Sequence, residues 1–284
     1  MGTTAAVMSD KQTQEKLKEL EEFLRRYESA LIAYSGGVDS TVVMAAAVGV
    51  LGRRALACIG ISASYPERER TAALALAKSI GAPVRIVQTH EQDDPHYSAN
   101  PFDRCYYCKS ELYERLSRIA REKRYSVILD GNNAGDRTDD RPGWRAARER
   151  GVVSPLAHLG IGKPQVRLLA RELGLSVWDK PATPCLSSRV PHGVPIVPEL
   201  LKRIEKAEDV LAELGFVEFR VRHHGDVARV ELGAKEMIRA LELQKQIVSG
   251  IQRAGYQFVT LDLSGFRSGA LHAAAATEQV RRTD

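Results

Sequence analysis

Two groups of residues in this chain have the types and spacing to do chemistry. The first is Ser35-Gly36-Gly37-Val38-Asp39-Ser40. The apolar run Leu31-Ile32-Ala33-Tyr34 precedes it and a helical pattern from Thr41 to Val48 follows, so the segment reads as strand, glycine-rich turn and helix. Such a turn offers backbone N–H groups to an anion, and the helix N-terminus adds partial positive charge. Gly36 and Gly37 allow a tight turn and close approach of a phosphate. Ser35 and Ser40 add hydroxyls, and Asp39 brings a carboxylate able to hold Mg²⁺ on a di- or triphosphate. No Gly-Lys-Ser/Thr follows, which excludes a Walker A loop. The second group is Cys105-Tyr106-Tyr107-Cys108 at the start of a helical pattern, with Cys185 far along the chain in Pro184-Cys185-Leu186-Ser187-Ser188-Arg189.

Thiolates are soft metal ligands, and three of them can hold three irons of a 4Fe-4S cluster while the fourth iron stays open to a non-protein ligand. Structural zinc takes four protein ligands, and only three cysteines fall in candidate loops. A redox-active pair at Cys105 and Cys108, or unconnected thiols, remain open alternatives. Cys58 lies in an apolar strand and reads as a small buried hydrophobe.

The elements that must position these groups follow a repeating pattern. Residues 10–28 form a charged amphipathic helix, Ala30–Tyr34 a strand and residues 39–49 a helix. Next come a strand at Ala55–Ile61, a helix at 67–80, a strand at Val84–Thr89 and a loop at Glu91–Arg104. Cys108–Lys123 is helical, Val127–Asp130 strand-like, and short helices are expected at 144–150 and Lys163–Leu173. This βα alternation predicts an α/β class with a parallel sheet, with ligands at the C-terminal ends of its strands. The turn at Ser35, the loop after Thr89 and the loop after Asp130 should open on that edge. A proline-rich stretch at 179–198 reads as an active-site loop bridging to a second domain. We therefore expect residues 1–197 as a nucleotide-binding domain and 198–284 as a smaller α+β domain for substrate binding or oligomerisation. The latter has a helix at Glu199–Leu214, strands at Phe216–Val221 and Val227–Leu232, a long helix at about 235–253 and a strand at Tyr256–Leu261. Trp178 is expected in the core, and residues 273–284 are expected to fray.

The chain has 284 residues, of which 41 are basic and 36 acidic, so its formal charge of +5 is compatible with anionic small molecules or RNA and proves neither. No signal-peptide pattern or membrane-spanning apolar run is seen, which points to a cytoplasmic protein with no membrane partner. Four cysteines in that setting argue for metal or catalysis over a disulfide scaffold.

Several residues could complete a site. Asp130, Asn132, Asn133 and Asp136 follow a strand at the ligand edge, and Asp136, Arg141 and Arg145 could orient phosphates or form loop ion pairs. Arg220 and Arg222 alternate on one strand and share a face, where arginine matches carboxylate or phosphate bidentately. They stand either for an anionic pocket, with Arg189, or for a solvated sheet face. Glu205 and Glu208 are cofacial on a helix and could serve Mg²⁺, domain positioning or the surface. His223 and His224 lack zinc-motif spacing.

The Ser35–Ser40 turn resembles the pyrophosphate-binding loop (PP-loop) of the ATP pyrophosphatases, which cleave ATP to AMP and pyrophosphate. Together with Arg104–Lys109, Asp130–Gly143, Trp178–Pro181, Pro184–Arg189 and Val259–Gly269, it resembles the LarE family across nearly the whole chain. These are ATP-dependent sulfur transferases that build a nickel-pincer nucleotide. The resemblance implies a PP-loop (adenine nucleotide alpha hydrolase-like) domain, with Ser35–Ser40 and Asn133 at the nucleotide and Asp39 on Mg²⁺. It implies a pyridinium-3,5-biscarboxylic acid mononucleotide as substrate, adenylated by ATP and then attacked by sulfur to give a thiocarboxylate, twice over. Arg189, Arg220, Arg222, Asp136 and Arg141 would serve that substrate. Two sulfur sources occur in the family: sacrifice of the cysteine matching Cys185, or a 4Fe-4S cluster on three cysteines matching Cys105, Cys108 and Cys185, fed by a sulfide donor not yet identified. The presence of Cys105 and Cys108 favours the cluster. Gly135 stands where the family often carries an acidic residue, so no metal role is assigned there. Arg267 and Ser268 belong to the resembling tail, with an open role, and a homo-oligomer is expected.

Three other functions compete. A tRNA-thiolating enzyme would combine the same loop with cluster cysteines, but no basic, aromatic-interleaved tract for RNA is present. An amidating ligase such as an NAD synthetase would leave the cysteines idle. A nucleotide-sensing or iron–sulfur scaffold would bind ATP without releasing pyrophosphate.

Overall fold

The computed structural model describes residues 10–136 and 141–266. Arg267 and Ser268, the end of the resembling tail and the segment expected to fray lie outside the described residues.

The apolar runs condense into two sheets. In the first unit α1 (Asp10–Leu24) leads into β1 (Ala30–Ala33), α2 (Val38–Leu51), β2 (Ala55–Ile61), α3 (Glu67–Ile80) and β3 (Val84–Gln88). After the single-turn α4 (Pro95–Ser98), which belongs to the second unit, the first unit continues with α5 (Arg104–Lys123), β4 (Val127–Leu129), α6 (Pro142–Glu149), α7 (Pro155–His158) and α8 (Lys163–Glu172). The four strands are all parallel, in the order β3-β2-β1-β4. β1 is buried along its whole length, as expected of an inner strand covered on both faces. Leu31, Cys58, Val87, Leu116 and Ile128 share one core, in which α5 packs on the sheet.

The strand order carries the functional consequence. After β1 the chain runs outward through β2 and β3, then returns to place β4 on the other side of β1. The loops leaving β1 and β4 therefore stand at the point where the strand order reverses, at the carboxyl ends of the sheet. Their backbones touch there: a Cβ built on Gly131 would lie 2.6 Å from the Ser40 nitrogen and 2.8 Å from its Cα. Glycine at 131 is what lets the loop after β4 press against the start of α2.

The second unit comprises the chain from Pro181 together with Ala63–Pro66 and Gln92–Phe102. It contains α9 (Pro198–Glu213), β5 (Phe219–His224), β6 (Val227–Leu232), α10 (Met237–Glu242), α11 (Gln244–Arg253) and β7 (Phe258–Leu261). β5 and β6 are an antiparallel hairpin, and β6 and β7 pair in parallel through the α10–α11 crossover. Leu211, Phe216, Val221, Val230 and Ile251 form its core.

Three expectations need correction. The strand expected at Phe216–Val221 starts instead at Phe219, because the Glu236 carboxylate takes the N–H groups of Val217 and Glu218 and removes them from the ladder. Phe216 still serves the core, 4% exposed. The single helix expected over 235–253 is two helices, divided at Leu243. Trp178 is not in the core: it is 43% exposed, with the Arg171 guanidinium 5.8 Å from its ring.

The Gly131 contact yields the first expectation. Gly131→Ala forces backbone against backbone, so it should cost about 1–3 kcal/mol in denaturant unfolding. A Gly131→Ala protein as stable as the wild type would contradict this close approach.

Candidate functional site

The turn after β1 is internally braced. Gly36 has φ of 70°, a left-handed conformation that a residue with a side chain adopts only under strain. The Ser35 N–H donates to Ser40 Oγ at 3.2 Å, and Ser40 Oγ donates to the Gly37 carbonyl at 3.1 Å. Thr41 Oγ1 donates to the same carbonyl at 2.8 Å. Gly37 caps α2, and the first N–H groups of the helix have no partner within it. The turn thus sets two hydroxyls beside the N-terminal N–H groups of α2, a setting that favours negative charge.

The loop after β4 supplies the opposite wall. Asn133 Nδ2 donates to Asp39 Oδ1 at 3.2 Å, while Asn133 Oδ1 accepts from the Gly135 N–H at 2.9 Å, which fixes the amide. Asp136 accepts from the Asn133 N–H at 3.1 Å and pairs with Arg141. The ion-pair reading of Asp136 and Arg141 therefore holds in the absence of ligand. Arg145 pairs instead with Asp103 at 3.4 Å. Asp130 turns inward: it is 3% exposed and accepts from Tyr113 Oη at 3.0 Å and the Asn132 N–H at 3.1 Å. Burial pushes its carboxyl above the usual range, against the pull of Ser154, Asn132, Lys109 and Tyr113. Asp130 thus pins the end of β4 to α5.

Sequence reasoning missed Lys163. It is the first residue of α8, and its ammonium pairs with Asp39 Oδ2. The signal available was a lysine opening a helix after a loop, which is too common to single out.

The thiols divide by burial. Cys58 is fully buried, and desolvation pushes its thiol up to about 12. Cys105 is exposed and Cys108 half-buried, three apart in the first turn of α5 and therefore on one side of the helix. That turn is braced from α6: the Arg145 guanidinium lies 4.3 Å from the Tyr106 ring centre, and Tyr106 Oη donates to Glu149 at 2.6 Å. Cys185 is half-buried and stands just before a 3₁₀ turn at Leu186–Arg189. The Leu186 N–H bonds the Ser64 carbonyl at 2.8 Å, and Tyr97 Oη and Ser187 Oγ bond at 2.6 Å. Cys105 and Cys108 belong to the first unit and Cys185 to the second. Among the described residues no three His, Cys, Asp or Glu side chains stand together as a metal-binding group.

Arg189, Arg220 and Arg222 are buried, which overturns the solvated sheet face. Arg189 grips Glu208 through two bonds of 2.8 and 3.1 Å and donates to the Pro184 carbonyl at 2.6 Å. Glu208 also accepts the Val221 N–H at 3.1 Å, so it is a buried brace and not a surface residue. Arg222 grips Glu231 through two bonds of 3.0 Å and donates to the Ser188 carbonyl at 2.7 Å. Arg220 differs. Its guanidinium lies 4.6 Å from the Phe266 ring centre and makes one long bond of 3.4 Å to the Ala182 carbonyl. It is 4% exposed with no carboxylate of its own among the described residues. Burial, then the neighbouring charges of Arg189 and Arg222, pulls its basicity down to about 10. An anion placed beside Arg220 would relieve both effects. His223 and His224 are held below the usual histidine range, mainly by burial, and His223 Nδ1 lies 3.3 Å from Tyr256 Oη. Glu205 is half-buried.

Comparison with known proteins adds the following. No protein-family model matches the chain. It is 37% identical over 250 residues to a pyridinium-3,5-bisthiocarboxylic acid mononucleotide synthase of Lactiplantibacillus plantarum, covering 88% of this chain and 91% of that protein. It is 45% identical over 259 residues to an uncharacterized protein of Synechocystis sp., covering 90% and 97% respectively. An uncharacterized protein of Methanocaldococcus jannaschii is 29% identical over 242 residues, covering 84% and 90%.

Two arginines on one strand should behave oppositely. Arg222→Gln strips the buried Glu231 carboxylate of both 3.0 Å bonds and leaves it only the Arg229 contact at 3.2 Å, so it should cost about 2–4 kcal/mol. Arg220→Gln should cost less than about 1 kcal/mol, because no carboxylate is orphaned. Inorganic phosphate should raise the melting temperature of the wild type by mass action and leave that of Arg220→Gln unmoved. Equal losses in the two variants, or a phosphate effect that survives in Arg220→Gln, would contradict the assignment.

Proposed function

Because the chain belongs to the LarE family, we propose that it is an enzyme inserting sulfur into a pyridinium mononucleotide, as the name of its Lactiplantibacillus relative describes. We propose further that the reaction is driven by ATP on a PP-loop fold. The observation that carries the ATP reading is the braced Ser35–Ser40 turn at the head of α2, at the switch point of a parallel sheet.

In this reading the N–H groups at the start of α2, with the Ser35 and Ser40 hydroxyls, receive the triphosphate. Mg²⁺, when bound, neutralises phosphate charge; Asp39 has the oxygen donors such a hard cation takes. A substrate carboxylate attacks the α-phosphorus and pyrophosphate departs, which converts a poor oxygen leaving group into AMP and removes charge that would repel sulfur. A sulfur nucleophile then adds to the acyl-adenylate carbonyl, AMP leaves, and a thiocarboxylate remains; a second round gives the bis-thiocarboxylate. Arg220 supplies the positive charge for the substrate phosphate, with Arg189 and Arg222 flanking it.

For the sulfur source we propose Cys105, Cys108 and Cys185 as ligands of a 4Fe-4S cluster. A cluster of this kind supplies sulfide on an iron with no protein ligand. The donor chemistry fits: these are the three solvent-accessible thiols, two of them one helical turn apart, while the fourth cysteine is buried. The residues' part is to hold the irons and leave one position open.

Anaerobic purification with iron and sulfide analysis, and mass spectrometry before and after turnover with ATP, Mg²⁺, sulfide and the dicarboxylate, tests this. The expected result is about four irons per chain and an unchanged polypeptide through several turnovers. Cys105→Ala should lose both the iron and repeated turnover. A single turnover that removes the elements of hydrogen sulfide from Cys185 would assign the sulfur to that residue. Failure to form AMP and pyrophosphate would remove the ATP reading.

A further inference from the structure

The ion pair between Asp39 and Lys163 has no part in the scheme above. Its geometry is specific. One Asp39 oxygen faces the fixed Asn133 amide at 3.2 Å, and the other faces the Lys163 ammonium. Asn133 and Lys163 come from the loop after β4 and the first turn of α8, in the same unit as α2. The Lys163 side chain is 42% exposed while that of Asp39 is 19% exposed. The carboxylate is therefore held in place, and its cation sits at the end of a flexible stem in reach of solvent.

A divalent cation on Asp39 needs oxygen lone pairs that the ammonium occupies. It would also stand within a few ångströms of a like charge, where repulsion is strong in a partly buried site. The two therefore compete for the carboxylate. Lysine carries its charge on four rotatable carbons with three donors, so it can leave without moving the backbone. An anion received at the head of α2, where Asp39 stands, would offer it a new partner.

Resting on the nucleotide reading of the Ser35–Ser40 turn, we infer that Lys163 is an exchangeable counter-ion. It neutralises Asp39 while no divalent cation is bound, and it moves onto the triphosphate when a cation–nucleotide complex arrives. Lys163 would then block the bare cation from Asp39 and add to the hold on the nucleotide. It is a binding residue in the occupied state and a placeholder in the empty one.

The test uses the full chain with Lys163→Met, which keeps the stem and removes the charge, and Lys163→Arg, which keeps the charge. Mn²⁺ binding to nucleotide-free protein is read by electron paramagnetic resonance, and binding of α,β-methylene ATP with Mg²⁺ by calorimetry. Lys163→Met should bind Mn²⁺ at least tenfold more tightly and the Mg²⁺–analogue complex at least tenfold more weakly. Lys163→Arg should keep the weak Mn²⁺ binding of the wild type, and Asp39→Asn combined with Lys163→Met should abolish the Mn²⁺ gain. An unchanged Mn²⁺ affinity in Lys163→Met, an unchanged analogue affinity, or a gain that persists without the Asp39 carboxylate would overturn the inference. If wild-type protein binds no analogue at all, the nucleotide reading fails, while the Mn²⁺ measurements still decide whether Lys163 and a cation compete for Asp39. Melting curves establish that each variant is folded.

Discussion

The close approach of two loop backbones at the centre of the parallel sheet is the constraint on which the candidate nucleotide site depends. The turn after β1 is braced from within by its hydroxyls at the start of α2. What gives it an opposite wall is the loop after β4, seated by Gly131 against Ser40 and tied by Asn133 to Asp39. That seating is in turn fixed from beneath, because Asp130 is anchored by Tyr113 from α5 and by the chain at Asn132. A single path of contacts thus runs from the helix that bears Cys105 and Cys108 to the carboxylate at the head of α2.

The second unit uses a different principle. Two buried guanidiniums, each gripping a carboxylate through paired bonds, hold β5, β6, α9 and the 3₁₀ turn after Cys185 in one arrangement. Such pairs are costly to desolvate and contribute directionality more than net stability. Arg189 donates to the Cys185 carbonyl at 3.2 Å, so the backbone at this cysteine is held by the same network. Arg220, placed between the two pairs by strand alternation, has no such compensation. The unit gives two of its buried arginines a carboxylate each, while Arg220 has the Ala182 carbonyl and the Phe266 ring.

How far the sequence could be read follows from the range of the interactions involved. The strand at Ala55–Ile61 and the helix at 67–80 were legible to the residue, because continuous apolar runs and local stops define them. The α/β class and the glycine-rich turn were legible for the same reason. The start of β5 was not, since Phe216 is as apolar as a strand residue, and only Glu236, brought over from the segment before α10, shows that the ladder begins later. Arginine alternation on β5 was visible, but not that Glu208 and Glu231 would meet Arg189 and Arg222, because pairing depends on how α9 and β6 are laid against that strand. Lys163 stands 124 residues from Asp39, and no local pattern connects them. Trp178 misled because a large aromatic suggests a core, whereas its ring lies at the surface beneath Arg171.

The bracing of the first turn of α5 bears on how this helix start could be disturbed. The turn keeps its shape through helix continuity, the Tyr106–Glu149 bond and the stacked Arg145, none of which involves sulfur. The shape of this helix start is thus set in part by side chains of α6 that carry no sulfur. Substitution at Tyr106, Arg145 or Glu149 would therefore loosen the start of this helix while leaving both cysteines in the chain.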